Sequence, residues 1–238
     1  MDNPLVSVII PSFNRYSYLQ NAVESVINQS YKNIEVFVVN DESTEENYYS
    51  RSFPDVVNQI NIERKNYPDW GGSRQPLRNI AADISSGKYL AFLDDDDVWL
   101  PDKLQIQIET MENSKNDISC TEGYYGEGIY DSNQNYPKYN SEHFFKILKR
   151  KYRKTNYLKN NSFPNEWDID FLSVHNCIIL SSTVIKKDLY MRLGGFRGLP
   201  RLADYDLWLS ALKLTNLDYI NVPLFYYDGA HGSGKNYI

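Results

Sequence analysis

Between Gly87 and Leu104 the chain passes from an apolar run straight into four consecutive carboxylates. Tyr89 to Leu93 follows a turn signal at Gly87 and reads as a strand buried on both faces. It stops at Asp94, Asp95, Asp96 and Asp97. Pro101 then opens a helical pattern, with Asp102 in the first turn and Leu104, Ile108 and Met111 on one side. The aspartates therefore fall where the carboxyl end of a strand meets a loop, the edge at which open α/β sheets bind ligands. Adjacent carboxylates repel, and a divalent cation is the usual remedy. Alternation along extended backbone sends Asp94 and Asp96 to one side, and Asp95 and Asp97 to the other. Taken alone, the run is equally well explained as a solvated acidic loop favoured by the dipole of the helix behind it.

The surrounding pattern is strand and helix in alternation. Leu5 to Ile10 is β-branched and apolar, and Pro11-Ser-Phe-Asn14 stops it. Tyr16 to Gln29 places Leu19, Val23, Val26 and Ile27 on one helical face. Ile34 to Val39 is a second buried strand, running into Asn40-Asp41-Glu42-Ser43-Thr44 and a helix start. Gln59 to Glu63 is a short third strand, and a loop at 66–73 leads to a helix over 76–86. This order implies an α/β fold with a parallel sheet and right-handed crossovers. Farther on, Ile118 to Tyr125 is a strand, residues 126–140 are a loop, and Ser141 to Tyr152 is a helix. Cys177 to Val184 reads as a strand. Lys186 to Leu193 is a helix closed by Gly194-Gly195, and Ala203 to Leu214 is a helix with Trp208 in the core.

Several function classes are excluded or disfavoured by composition. The chain has 238 residues and a formal net charge of -6, which argues against nucleic acid as the main partner. Cys120 and Cys177 make neither a disulfide framework nor metal-ligand spacing, and read as buried thiols. No segment reaches membrane-spanning length and no basic leader precedes the first strand, so the expectation is a soluble cytoplasmic protein. Against the acidic balance, Lys146, Lys149, Arg150, Lys151, Arg153 and Lys154 form a local basic cluster. It reads either as a solvated face or as a surface for an anionic acceptor or a membrane.

Several blocks, in order, resemble one family. They are Val6-Ser-Val-Ile-Ile-Pro-Ser-Phe-Asn-Arg15, Ser25-Val-Ile-Asn-Gln-Ser-Tyr31, Val38-Val-Asn-Asp-Glu-Ser-Thr44, Arg78-Asn79, Phe92 to Asp102, Gly194-Gly-Phe196 and Ala203-Asp-Tyr-Asp-Leu-Trp208. Together they resemble the inverting family-2 glycosyltransferases of the GT-A fold, with residues 140–175 as the part left uncovered. The resemblance implies a Rossmann-like, mostly parallel central sheet flanked by helices. It implies one glycosyltransferase domain over 1–238, with 1–113 binding the donor, a less regular 114–238 binding the acceptor, and an insert at about 126–175.

It also implies roles. Asp41 accepts a hydrogen bond from the base of a nucleoside-diphosphate sugar, with a UDP-sugar favoured, and the Pro11 carbonyl helps hold that base. Asn40 stands where the family often has a second Asp, and retains hydrogen-bonding capacity. Arg78 faces the nucleotide or diphosphate, where a planar multi-donor cation suits phosphate oxygens. Asp96 binds Mn²⁺ or Mg²⁺ directly, Asp94 or Asp95 supports the metal or touches the ribose, and His231 stands near the metal or diphosphate. Asp204 is the catalytic base, with Ala203 where the family usually has Glu. The acceptor is a glycan, protein or lipid-linked hydroxyl or amine.

Two other readings compete. A sugar nucleotidyltransferase needs a Gly-rich loop after the first strand, and Pro11-Ser-Phe-Asn-Arg15 has no glycine. A non-catalytic nucleotide-sugar or glycan-binding module is compatible with Ala203 but leaves the retained Asp94, Asp96 and Asp204 without purpose. A processive synthase is disfavoured by the lack of transmembrane helices and of a Gln-x-x-Arg-Trp block.

Overall fold

The computed structural model describes residues 3–67 and 74–234. The expected loop at 66–73 lies mostly outside them. In chain order the strands and helices begin β1 (Val6–Ser12), α1 (Tyr16–Ile27), β2 (Ile34–Asn40), α2 (Asn47–Ser50) and β3 (Val57–Asn61). Next come α3 (Leu77–Ile84), β4 (Tyr89–Phe92), β5 (Val98–Trp99), α4 (Lys103–Asn113) and β6 (Ile118–Gly126). The last part holds α5 (Phe145–Lys151), β7 (Glu166–Trp167), α6 (Ile169–Val174), β8 (Val184–Lys186), α7 (Lys187–Leu193), α8 (Ala203–Ala211) and β9 (Leu217–Asp228).

One sheet runs through these strands in the order β3-β2-β1-β4-β8-β6-β9-β5, with β7 beside β9. The four strands β3, β2, β1 and β4 are parallel, β8 lies antiparallel between β4 and β6, and β6 and β9 are parallel again. The fold is therefore α/β with a mostly parallel sheet. Alternating side chains feed two cores. Val8, Ile10, Val36, Val38, Tyr89 and Ala91 pack with Leu19, Val23 and Val26 of α1 and Leu104 and Ile108 of α4. Their neighbours Ile9, Phe37, Val39, Leu90 and Phe92 face Leu77 and Ala81 of α3, Leu189 of α7 and Trp208 of α8. Both faces are covered, which is why these strands read as unbroken apolar runs.

Gly87 is required by a close approach: an added Cβ there would lie 2.7 Å from the Ser7 nitrogen of β1. Gly194 ends α7 in the left-handed region at φ 79°, as the closing Gly-Gly predicts.

Several boundaries differ from expectation. β1 continues through Pro11 to Ser12, since β4 pairs only as far as Ile9 and the missing Pro11 N–H falls beyond it. The stretch 177–184 is not a strand. It carries a 3₁₀ turn at Leu180–Ser182, and only Val184–Lys186 joins the sheet. The helix expected over 141–152 begins with a π-helical turn at Tyr139–His143. β9, the longest strand, has no counterpart in the sequence reading, because Asp218, Asn221 and Pro223 break its alternation. The register shifts at Thr121/Glu122 absorb Pro223.

Candidate functional site

Beyond β4 the Leu93 N–H donates to the Ile9 carbonyl at 3.1 Å, and the Asp97 N–H turns back onto the Asp94 carbonyl at 3.1 Å. The four carboxylates are thereby wrapped into one tight turn at the carboxyl edge of β1 and β4. Asp95 and Asp97 point inward and are buried. Asp94 keeps 36 % of its side chain exposed and Asp96 keeps 8 %. Alternation thus sorts the acids as the sequence implies.

Each acid has its own partners. Asp95 is paired with Arg15 and accepts the Ser12 hydroxyl at 2.6 Å, while the Tyr48 hydroxyl lies 2.5 Å from Ser12. Arg15 also reaches Asp96 at 2.8 Å. Asp97 accepts the Ser181 hydroxyl at 2.5 Å and the Asp228 N–H at 2.9 Å. Ser181 serves the turn a second time, its oxygen accepting the Asp94 N–H at 3.0 Å, and its carbonyl takes the Trp99 indole N–H at 2.8 Å. Burial pushes the Asp95 carboxyl up to about 7, with Arg15 opposing and Asp96 adding. Asp96 is also raised, by burial first, with Arg15 opposing and Asp94 reinforcing. Asp97 is raised well above the usual carboxylate range by burial and then by Asp96 and Asp94. Burial and mutual repulsion thus disfavour the ionised form of these acids, and a nearby added cation would favour it.

Asp41 sits just past β2, buried, with its N–H on the Ser12 carbonyl at 2.9 Å. Arg64 binds both of its oxygens, at 2.5 and 2.7 Å, and Arg74 adds a contact at 2.9 Å. Neither arginine stood out in the sequence. Asn40 spends its side chain locally, donating to Asn61 at 2.9 Å and accepting the Ser43 N–H at 3.1 Å. It shapes the loop that presents Asp41. Pro11 lies buried in the last turn of β1 beside Val39.

Arg78, in the first turn of α3, is paired with Asp94 and donates to Gln75 at 2.8 Å. Among the described residues its buried Nε has no hydrogen-bond partner. Asn79 next to it clamps the Gly194-Gly195-Phe196 segment, accepting the Phe196 N–H and donating to the Phe196 carbonyl, both at 2.9 Å. Asp204 lies in the first turn of α8, where Leu202 is the N-cap and backbone N–H groups of the turn reach the Asp204 carboxylate. Its Oδ2 lies 3.5 Å from the Asn176 amide nitrogen. Burial raises its pKa, backbone N–H groups of the turn oppose, and the charge of Asp94 raises it further. Asp204 and Asp94 thus feel one another across the sheet edge. Asp206 turns away to Arg197, at 2.7 Å. Ala203 is buried.

His231 arrives from the end of β9. Its carbonyl accepts Arg15 at 3.0 Å, its ring nitrogen lies 3.5 Å from the Tyr227 hydroxyl, and its charge acts on Asp96. Among the described residues no group of three or more His, Cys, Asp or Glu side chains forms a ready cation cage. The carboxylates of Asp94 and Asp96 are of the type that Mg²⁺ or Mn²⁺ takes, one or two at a time, with water and substrate phosphate oxygens completing the shell.

The sequence signal for Arg15 was its place in the first block, three residues past a strand end. Ser181, Asn176 and Asp228 carried no signal, for they act through a 3₁₀ turn, an amide and a strand end that only the fold brings to the edge.

Comparison with known proteins agrees with this architecture. The profile described as Glycosyl transferase family 2 matches residues 7–168. The Escherichia coli UDP-Glc:alpha-D-GlcNAc-diphosphoundecaprenol beta-1,3-glucosyltransferase WfgD is 31 % identical over 93 % of this chain and 75 % of its own length. A second Escherichia coli enzyme, WfaP, with the same named activity, is 30 % identical over 88 % of this chain and 70 % of its own. The chain spans only 61 % of an uncharacterized glycosyltransferase of Rickettsia prowazekii that is 29 % identical. Among solved structures, mannosyltransferase PcManGT from Pyrobaculum calidifontis, in complex with GDP-Man and Mn²⁺, superposes with a TM-score of 0.66 at 16 % identity, over 95 % of this chain and 57 % of that one. S. aureus TarS 1-349 in complex with UDP-GlcNAc gives 0.64 at 17 % identity, over 97 % of this chain and 61 % of that one. The fold is GT-A. With the profile covering most of the chain and the acidic turn, Asp41 and Asp204 at one sheet edge, the chain belongs to glycosyl transferase family 2.

Proposed function

We propose that this glycosyltransferase moves a sugar, with inversion and with a divalent metal, from a nucleoside diphosphate to an acceptor hydroxyl or amine. The observation that carries the reading is the half-buried Asp204 at the start of α8, 3.5 Å from the Asn176 amide, its pKa raised by burial and by the charge of Asp94 at the end of β4. In this reading residues 1–113 hold the donor and 114–238 the acceptor.

Asp41 receives the base. Its Oδ1 has a further lone pair beside the Arg64 contact, whereas Oδ2 takes both Arg64 and Arg74, so a base N–H finds an acceptor at Oδ1. Asn40 and Pro11 shape that pocket, and Arg78, with a donor group unspent, turns toward the diphosphate. Asp96, with Asp94 and His231, would hold Mn²⁺ or Mg²⁺, which would supply charge stabilisation for the departing diphosphate, while Asp95, buried on Arg15 and Ser12, supports the turn from within. Asp204 takes the proton from the acceptor as its oxygen or nitrogen bonds to the anomeric carbon. The bond to the diphosphate breaks on the opposite face, and its electron pair leaves with the diphosphate. A carboxylate with a raised pKa is the better base for this work.

A UDP-sugar donor and a lipid-linked acceptor are favoured by the named activities of WfgD and WfaP. The test is a panel of nucleotide sugars with Mn²⁺ or Mg²⁺, read as released nucleoside diphosphate. Release from a UDP-sugar is expected, and release only from guanosine or cytidine diphosphate sugars overturns the donor assignment.

A further inference from the structure

The chain carries seven cations between Lys146 and Lys159 and no carboxylate from His143 to Asn165, inside a protein of net charge -6. The fold displays this charge rather than neutralising it. Leu148 and Tyr152 turn inward from α5 and its 3₁₀ extension and are buried. Lys146, Lys149, Arg150, Lys151, Arg153, Lys154 and Lys159 all remain exposed. Among the described residues none of the seven is ion-paired. Lys149 and Lys159 donate instead to the neutral amides of Asn161 and Asn156, at 2.6 and 2.7 Å. In the middle of the cationic face Ile147 leaves 46 % of its surface in solvent.

This face borders the acceptor side of the site. The Tyr152 hydroxyl donates to the Phe171 carbonyl at 2.9 Å, and Lys151 is close enough for its charge to depress His175, after burial has done so first. Asn176 follows His175 and contacts Asp204. An unpaired cationic surface with an exposed apolar side chain is complementary to one kind of partner, an anionic sheet with an apolar interior.

We propose that the α5 face docks the protein on an anionic phospholipid bilayer, turning the Asp204 edge toward the membrane. The charge supplies attraction within a screening length of about 8 Å, so the acidic remainder of the protein does not cancel it. Ile147 supplies the second, apolar signal that stable surface binding needs. Only the orientation rests on the proposed function, for bilayer binding itself requires no transfer.

The experiment is co-sedimentation of the full chain with vesicles of phosphatidylcholine alone and with about one quarter phosphatidylglycerol. Binding is expected to the anionic vesicles only, and to fall as salt rises. The pair Lys149→Glu and Arg150→Glu is expected to weaken it by about 25-fold or more, at about fivefold per cation removed. Ile147→Ser weakens it severalfold without altering the salt dependence. Lys115→Glu with Lys213→Glu, the same charge change on exposed lysines elsewhere, leaves it within about twofold. Equal loss in that control, no binding to anionic vesicles at low salt, or patch-dependent binding of an oligonucleotide in place of vesicles overturns the proposal. Donor hydrolysis without vesicles reads the transferase assignment separately. A protein that sediments with vesicles but releases no nucleoside diphosphate refutes that assignment and leaves the docking standing.

Discussion

Ser181→Ala removes a hydroxyl that grips the acidic turn at two points. That hydroxyl donates to buried Asp97 at 2.5 Å and accepts the half-buried Asp94 N–H at 3.0 Å. A hydrogen bond to a charged group contributes about 1.5–3 kcal/mol, and one between neutral groups about 0.5–1.5 kcal/mol. The cost therefore depends on whether Asp97 is ionised. Burial, then Asp96 and Asp94, raise the Asp97 carboxyl well above its ordinary range, and Ser181 and the Asp228 N–H pull it down. A folded pKa above the unfolded one means that the folded state holds the extra proton, so stability falls as pH rises through that window. Without Ser181 the window extends upward. The variant should lose about 1 kcal/mol at a pH where Asp97 is protonated and about 2–3 kcal/mol at a higher pH where it is ionised, or about 2–4 °C in melting temperature per kcal/mol for a chain of this size. Urea denaturation with a chelator present, at both pH values, measures it. In an Asp97→Asn background, where the amide keeps both contacts without charge, the cost should stay near 1 kcal/mol at both pH values. A loss below about 0.5 kcal/mol that does not change with pH, or the same loss in both backgrounds, refutes the reasoning.

Two further perturbations test neighbouring parts. Buried Glu122 accepts the N–H groups of Asn140 and Ser141 at 3.0 and 2.9 Å and the Tyr219 hydroxyl at 3.1 Å. Glu122→Gln should leave one of those donors unpaired, cost about 1–3 kcal/mol, and speed amide exchange at Asn140 and Ser141, whereas unchanged protection contradicts this. Asp96→Ala should abolish metal-dependent donor binding by calorimetry and leave the apo fold intact, since Arg15 keeps Asp95 as a partner. Unchanged metal and donor affinities would reject Asp96 as a ligand.

The donor half of the fold was the more legible because its strands are covered on both sides. Val8 and Ile9, or Ala91 and Phe92, are apolar whichever core they enter, so the runs stand out. The acidic turn was visible for the same reason, as the sudden end of such a run. What stayed hidden depends on groups distant in sequence. Ile178 and Leu180 look like strand residues because they reach the core, yet the peptide groups between them and Thr183 fold into a 3₁₀ turn that serves Asp97 and Trp99. β9 hid behind Pro223, which a bulge opposite Glu122 accommodates. Arg64 and Arg74 lie in loop sequence, and only the approach of both to Asp41 reveals that the carboxylate is paired. The remedy for the crowded aspartates was read as a divalent cation. The fold supplies Arg15 and Arg78 as well, buried cations whose pairing with Asp95 and Asp94 only the fold brings about.

The most direct test of the account is the transfer rate of Asp204→Asn. Asn keeps the size and the polar contact with Asn176 but cannot take a proton. Donor and metal binding by calorimetry should match the wild type, while the rate falls by about two to four orders of magnitude. The wild-type rate should decline as pH drops through the raised pKa of Asp204, because the protonated acid is no base, and the product should carry the anomeric configuration opposite to that of the donor. An Asp204→Asn protein that transfers sugar at the wild-type rate contradicts the account.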